Sequence, residues 1–162
     1  MHSPLATRRQ SFGFVAGVLL IAAGAVTSCS DVVEPVTYDD YLSDLQAICT
    51  STTEQLLALP AAPEQIAVAD LATSAAGLLD DEATRVSRLD VPSGDDVAVD
   101  DLDGDHRAFV RNTEEQADAW RAVAIAEPDE LAESTQLIAQ LVGGRNELAA
   151  SMGAPGCVRG DL

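Results

Sequence analysis

The residues best suited to chemistry lie in the acidic stretch 93–105, where six of 13 residues are Asp. Its last part reads Asp-x-Asp-Gly-Asp and offers the carboxylates of Asp101, Asp103 and Asp105. Carboxylate oxygens are preferred ligands of Ca²⁺, which takes about six to eight of them. The sequence therefore makes these three residues candidate calcium ligands.

The spacing of this stretch does not match an EF-hand loop. If Gly104 takes the sixth position of such a loop, Val99 takes the first and Val110 the twelfth. Neither valine side chain can bind a metal, whereas the loop needs oxygen ligands at both places. Two interpretations stay open: a calcium site, or a solvated acidic loop that stabilises the positive end of the next helix.

Other catalytic groups are scarce. All nine cationic residues are Arg, which excludes a P-loop Lys, a Ser-x-x-Lys nucleophile and a Schiff-base Lys. His106 is the only His after residue 28, so a His-rich metal site is excluded. A Ser–His–acid triad would need His106, and the chain has no Gly-x-Ser-x-Gly motif. We predict that His106 is a surface residue near a helix start, and that the protein is no enzyme and needs no cofactor.

Four aromatic residues follow residue 28: Tyr38, Tyr41, Phe109 and Trp120. Phe109 and Trp120 lie on an apolar stripe and are predicted to pack in the core. Tyr38 and Tyr41 open the first predicted helix. They either pack at its end or contact a membrane surface or a partner.

The apolar periodicity predicts four helices and no strand. The first runs from Tyr38 to about Leu59, with Thr37 and Asp40 in capping-box positions. The second is predicted to start at Pro63 and to stop at Val91-Pro92-Ser93-Gly94. The third emerges from the acidic stretch and is clear by His106. The fourth opens at Glu127-Pro128-Asp129-Glu130 and ends before a C-cap at Gly153. Short connections between amphipathic helices favour an up-down-up-down four-helix bundle over residues 37–162.

The N-terminal segment 1–28 has the layout of a secretory signal. Arg8 and Arg9 precede an uncharged run over residues 12–26, which is shorter than the roughly 20 residues that span a bilayer. We predict that this segment is cleaved. The residues after Arg9 are Gln10 and Ser11, which favours the general secretory route over twin-arginine export.

Val26-Thr27-Ser28-Cys29 resembles the bacterial lipobox. The resemblance implies that Cys29 carries a diacylglyceryl group and becomes the first residue of the mature chain. Two or more acyl chains anchor a protein stably, whereas one is marginal. We therefore expect a lipid anchor on Cys29, a short tether over residues 29–36 that reaches roughly 25 Å, and a location on the extracytoplasmic face of the cell membrane. The alternative is an ordinary signal in which Cys29 is incidental.

The other two cysteines, Cys49 and Cys157, form an even pair in an oxidising compartment. In an up-down-up-down bundle the end of the fourth helix lies beside the start of the first, so Cys157 can reach Cys49. We predict a disulfide between them. The alternative is two unpaired buried thiols.

Removal of Arg8 and Arg9 changes the formal net charge from −18 to −20. Such a charge opposes binding to nucleic acid and to anionic lipid head groups. It also predicts that added salt, or acidification toward about pH 5, stabilises the domain by relieving self-repulsion.

The whole layout resembles the small exported lipoproteins of high-GC actinobacteria. The features that carry the resemblance are the lipobox, a first helix with Leu45-Gln46-Ala47-Ile48-Cys49, and a terminal Gly153-Ala154-Pro155-Gly156-Cys157. The resemblance implies fold and location and no activity. We expect a non-enzymatic interaction or accessory module with an envelope protein as partner. The alternative is a binding protein for a cation or a small ligand.

Overall fold

The computed structural model describes residues 35–60, 65–93 and 99–160. Within these ranges the protein has four α-helices, one 3-10 turn and no strand, so the predicted all-α fold is confirmed. The elements are α1 (Tyr38–Leu57), α2 (Gln65–Val86), α3 (Leu102–Ile125), α4 (Leu131–Ser151) and the turn Pro155–Cys157. The predicted signal segment 1–28 and Cys29 lie outside the described residues, as does the predicted helix start at Pro63.

The start of α1 has the predicted cap. The Thr37 hydroxyl oxygen accepts a hydrogen bond from the Asp40 N–H at 3.2 Å, and the hydroxyl donates to the Asp40 carboxylate at 2.6 Å. An N-cap of this kind stabilises a helix by about 1 kcal/mol. The helix ends two residues before the predicted end at Leu59. There the Leu59 N–H bonds to the Leu56 carbonyl in a tighter turn, and Pro60 follows.

The starts of α3 and α4 differ, because an acidic side chain caps α3 and no side chain caps α4. Asp101 caps α3, because its carboxylate accepts a hydrogen bond from the Gly104 N–H at 3.0 Å. The fourth helix begins at Leu131 and not at the predicted opening around Pro128. A turn separates the two, closed by a hydrogen bond from the Glu130 N–H to the Glu127 carbonyl at 2.9 Å.

One end of the bundle, here the entry end, is where residues 35–36 lead into α1. The Tyr38 hydroxyl donates to the Met152 carbonyl at the end of α4, at 2.8 Å. The Tyr41 hydroxyl oxygen lies 3.0 Å from His106 Nδ1 at the start of α3. The start of α1 is therefore fixed against the end of α4 and the start of α3.

The largest hydrophobic cluster fills the entry half of the bundle. It consists of buried residues from all four helices and the C-terminal turn: Tyr41, Leu45, Ile48, Cys49, Val86, Leu102, Phe109, Ala149, Met152, Ala154 and Cys157. The predicted packing of Phe109 is confirmed by its exposure of 0%. Burial of such side chains contributes roughly 1.5–3 kcal/mol each.

The opposite end, here the far end, contains the start of α2, the end of α3 and the start of α4. Its cluster is smaller and consists of Ala72, Ala119, Val123, Ile138 and Val142. Trp120 is half-buried and packs against this cluster. A third cluster, made of Leu56, Ala75, Leu79 and Ala117, lies along α1, α2 and α3. Among the described residues, each of these two clusters has fewer members than the entry-end cluster.

Gly153 ends α4 with a backbone φ of +67°, which glycine adopts without strain. The Gly153 N–H bonds to the Ala150 carbonyl at 3.1 Å, and the Ala154 N–H bonds to the Ala149 carbonyl at 2.8 Å. These two bonds form a Schellman cap, so the predicted C-cap is confirmed. A Cβ at this position would also lie 2.8 Å from the Tyr38 hydroxyl.

After this cap the chain turns back along the bundle as a strap, residues 154–160. A disulfide between Cys49 and Cys157 joins the strap to α1, with 5.0 Å between their Cα atoms and a sequence separation of 108. Asn146 holds the strap a second time. Its amide donates to the Arg159 carbonyl and accepts from the Arg159 N–H, both at 2.8 Å.

Candidate functional site

The three candidate calcium ligands each bind a different group of the chain itself. Asp101 caps α3, and Asp103 forms an exposed ion pair with Arg107 at 2.7 Å. The Asp105 carboxylate accepts a hydrogen bond from the Ser151 hydroxyl at 2.8 Å. Among the described residues, no group of three or more His, Cys, Asp and Glu side chains could hold a metal ion. Residues 94–98 of the acidic stretch lie outside the described ranges.

His106 is buried, with 6% of its surface exposed, so the prediction of a surface residue is wrong. Its Nδ1 lies 3.0 Å from the Tyr41 hydroxyl oxygen, and the two rings are tilted by 55°. Burial lowers the pKa of His106 against the opposing effect of Asp103, and burial raises the pKa of Tyr41. Both groups are therefore held neutral.

A sequence signal for this burial exists. His106 lies four residues after Leu102 and three before Phe109, which places it on the buried face of α3. The neighbouring acidic stretch had indicated an exposed position, whereas this spacing indicates a buried one. Tyr41 is also buried, at 1% exposure, and Tyr38 is half-buried, so both tyrosines pack at the start of α1.

Three charged side chains that no sequence pattern had singled out contact one another in the interior of the domain. Glu82 binds Arg145 through one carboxylate oxygen at 2.7 Å and Arg159 through the other at 2.5 Å. The exposed fractions are 0% for Glu82, 0% for Arg145 and 3% for Arg159. We call this group the Arg–Glu–Arg cluster.

Further contacts hold the two guanidinium groups in place. Arg145 donates to the Thr113 hydroxyl at 2.8 Å, and its guanidinium carbon lies 4.2 Å above the centre of the Phe109 ring. Arg159 donates to the side-chain amide oxygen of Gln116 at 3.4 Å. The Nε atoms of both arginines are buried without a hydrogen-bond partner among the described residues.

The cluster carries one net positive charge, because a single carboxylate faces two guanidinium groups. Burial lowers the pKa of Arg145 to about 10, and the adjacent Glu82 opposes part of this shift. Arg145 therefore remains charged at neutral pH. A chain with a formal net charge of −18 therefore has a positively charged interior.

Two members of the cluster have a sequence signal and the third has none. Glu82 lies three residues after Leu79 and four before Val86, on the buried face of α2. Arg145 holds the same kind of position in α4, three residues after Val142. Arg159 is in the strap, outside any helix, so only the tertiary structure brings it to Glu82.

An open cleft lies at the far end, with a volume of about 390 Å³. Polar and apolar atoms contribute about equally to its surface, and its lining comes from α2, the end of α3, the following turn and the start of α4: Val68, Ala69, Asp70, Val123, Ala124, Ile125, Ala126, Glu127 and Leu131. Ile125 is 86% exposed, the largest value among the exposed large apolar side chains of the described residues. Two carboxylates, Asp70 and Glu127, stand among the apolar groups.

Comparisons of the chain with protein-family models, curated proteins and solved structures found no match. Within the described ranges, none of the helices has both the length and the apolar content to cross a bilayer.

Proposed function

We propose that this chain is a lipid-anchored envelope protein whose up-down-up-down bundle is a non-enzymatic module that binds another envelope protein at its far end. The observation that carries the proposal is the far-end cleft with the exposed Ile125. An apolar patch rimmed by polar residues is typical of protein-binding surfaces, and here Ile125 lines one cleft together with Val68 and Leu131.

The reactive groups of the described domain are engaged in internal contacts, which supports a role that does not use them. The cysteine sulfurs are joined, and the Tyr41 hydroxyl meets His106. The Glu82 carboxylate holds two buried guanidinium groups. The far-end cleft, in contrast, is open.

The start of α1, to which the proposed tether would connect, and the cleft lie at opposite ends of the described domain. The start of α1 packs beside the end of α4, whereas the cleft joins the start of α2 to the turn before α4. This arrangement supports the up-down-up-down order. A lipid on Cys29 would therefore be linked through the short tether to the end of the domain that does not contain the cleft.

The partner that fits is a protein segment with an apolar side chain flanked by cations. Ile125 and Leu131 offer apolar contacts, and Asp70 and Glu127 line the same cleft. The next residues along the chain include the exposed acids Asp129 and Glu130. Opposite charge on the partner would speed association and fix its orientation.

A photocrosslinker tests this surface in the membrane-extracted protein. Replacement of Ile125 by benzoylphenylalanine should give a defined crosslinked adduct with an envelope protein. Leu57 is a matched control, because it is 71% exposed but does not line the cleft. Equal crosslinking from both positions, or none from Ile125, would count against the proposal.

The membrane anchor needs its own test. The intact mass of the purified protein should include a diacylglyceryl group, and the variant Cys29→Ala should lack it. An unmodified wild-type mass would remove the proposed anchor and leave the far-end surface to be judged separately.

The second candidate is a small-ligand binding protein that uses the same cleft. Its volume of about 390 Å³ is within the range of ligand pockets. A rise in melting temperature with a small molecule or a cation, without crosslinking from Ile125, would favour this candidate.

A further inference from the structure

The two sulfurs of the disulfide have different surroundings. Cys49 Sγ lies 3.5 Å from the Arg145 Nη2, a nitrogen that also donates to Glu82. Cys157 Sγ lies 3.7 Å from the Leu45 carbonyl oxygen. Both cysteines are buried, at 0% and 1% exposure, so burial does not distinguish them. One sulfur faces a cation and the other faces an acceptor oxygen.

This difference matters if the disulfide opens. A neighbouring guanidinium stabilises a thiolate and lowers the pKa of the thiol, whereas burial beside apolar groups or an acceptor raises it. The Arg–Glu–Arg cluster has one net positive charge. A thiolate on Cys49 would bring the group to charge balance, but a thiolate on Cys157 would face the Leu45 carbonyl.

We propose that Cys49 is the thiolate-forming sulfur of this disulfide and that Arg145 is its counter-ion in the reduced protein. The inference is independent of the proposed function, since it depends only on described residues of the core. It makes Cys49 the reactive thiol, and therefore the preferred site of thiol modification, once a dithiol reductant has acted.

The reduction can be written in balanced steps. One thiolate of the dithiol attacks Cys157 Sγ, the S–S bond breaks, and Cys49 leaves as a thiolate. The better leaving group is the sulfur of lower pKa, which fixes the direction of attack. The second thiol of the reductant then displaces Cys157, which takes up a proton. The proton of that second thiol passes to Cys157, two electrons pass to the disulfide, and the dithiol becomes a cyclic disulfide. Relative to the neutral dithiol, one proton is released when the attacking thiolate forms.

The test uses two variants that each leave one thiol. Cys157→Ser frees Cys49 and Cys49→Ser frees Cys157, both in a Cys29→Ala background so that one group titrates. Thiolate absorbance against pH should give Cys49 a pKa at least about one unit below the ordinary value of about 8.5, and Cys157 a value at or above it. A Cys49 pKa equal to or higher than that of Cys157 would overturn the proposal.

Arg145→Lys in the Cys157→Ser background keeps the positive charge but loses the paired N–H donors of the guanidinium. It should raise the Cys49 pKa by only part of the difference from the ordinary value of about 8.5. If a variant fails to fold, the wild-type protein provides the second measurement. After reduction with dithiothreitol, brief alkylation with iodoacetamide at mildly acidic pH should label Cys49 about tenfold more than Cys157. Equal labelling, or preferential labelling of Cys157, would overturn the proposal.

Discussion

The entry end and the far end of this bundle differ in how their side chains are used. At the entry end, aromatic rings, a disulfide, a helix cap and the strap all make internal contacts. At the far end, the buried cluster is built mainly from Ala and Val, and Ile125 is exposed beside an open cleft. The difference suggests that stability is concentrated at one end and that the other is left available for binding.

Removal of the disulfide should have the largest effect. The double variant Cys49→Ser, Cys157→Ser releases a loop of 108 residues, and loop entropy gives a loss of about 4–5 kcal/mol in the free energy of unfolding. Urea unfolding of the variant and the wild type measures this loss. A loss of less than about 1 kcal/mol would mean that the strap is held mainly by Asn146 and Arg159.

Glu82→Gln comes next. It leaves two buried guanidinium groups without a counter-charge, and the loss of one partner from a buried ion pair costs about 3–5 kcal/mol. Asp80→Asn is the matched control, since the Asp80–Arg121 pair is about half exposed and such pairs contribute about 0–1 kcal/mol. Similar losses for both variants in urea unfolding would contradict a stabilising role for the cluster.

The burial of His106 predicts a pH effect at the entry end. Since its pKa is lowered in the folded protein, its contribution to stability is present above the unfolded pKa of about 6.5 and is lost as pH falls through the folded value. The stability advantage of the wild type over His106→Gln should therefore shrink between about pH 7 and pH 5.

This effect opposes the stabilisation that acidification brings by relieving repulsion among the carboxylates. That relief acts on the wild type and on His106→Gln alike, so the difference between their free energies of unfolding reports the contribution of the imidazole. An advantage of the wild type that stays constant or grows on acidification would contradict the neutral, buried state of His106.

The smallest effect is expected at the far end. Ile125→Ala should change the free energy of unfolding by no more than about 0.5 kcal/mol, because the side chain is 86% exposed. Leu45→Ala at the entry end removes a side chain of 0% exposure and should cost about 2–5 kcal/mol. If the two variants melted alike, the division of the molecule into a stabilised end and a binding end would fail.

Local patterns were enough to predict much of this protein. Apolar spacing predicted four helices, and Thr37 and Gly153 marked two of their caps. The two cysteines that remain when Cys29 is set aside indicated a bond between Cys49 and Cys157. These features depend on residues a few positions apart, or on the number of cysteines. The predicted start of α4 near Pro128 was less accurate, because an isolated turn and the first turn of an α-helix favour similar residues.

The tertiary structure alone decided which polar residues are inside. The spacing of His106, Glu82 and Arg145 placed them on apolar faces, but a charged residue is buried only if partners from other elements satisfy it. Glu82 finds those partners in α4 and in a strap that only the fold brings back to the core. The sequence by itself determined the helices and their apolar faces. The contacts among Glu82, Arg145 and Arg159 were decided only by the tertiary structure, because ion pairing depends on distance in space and not on separation along the chain.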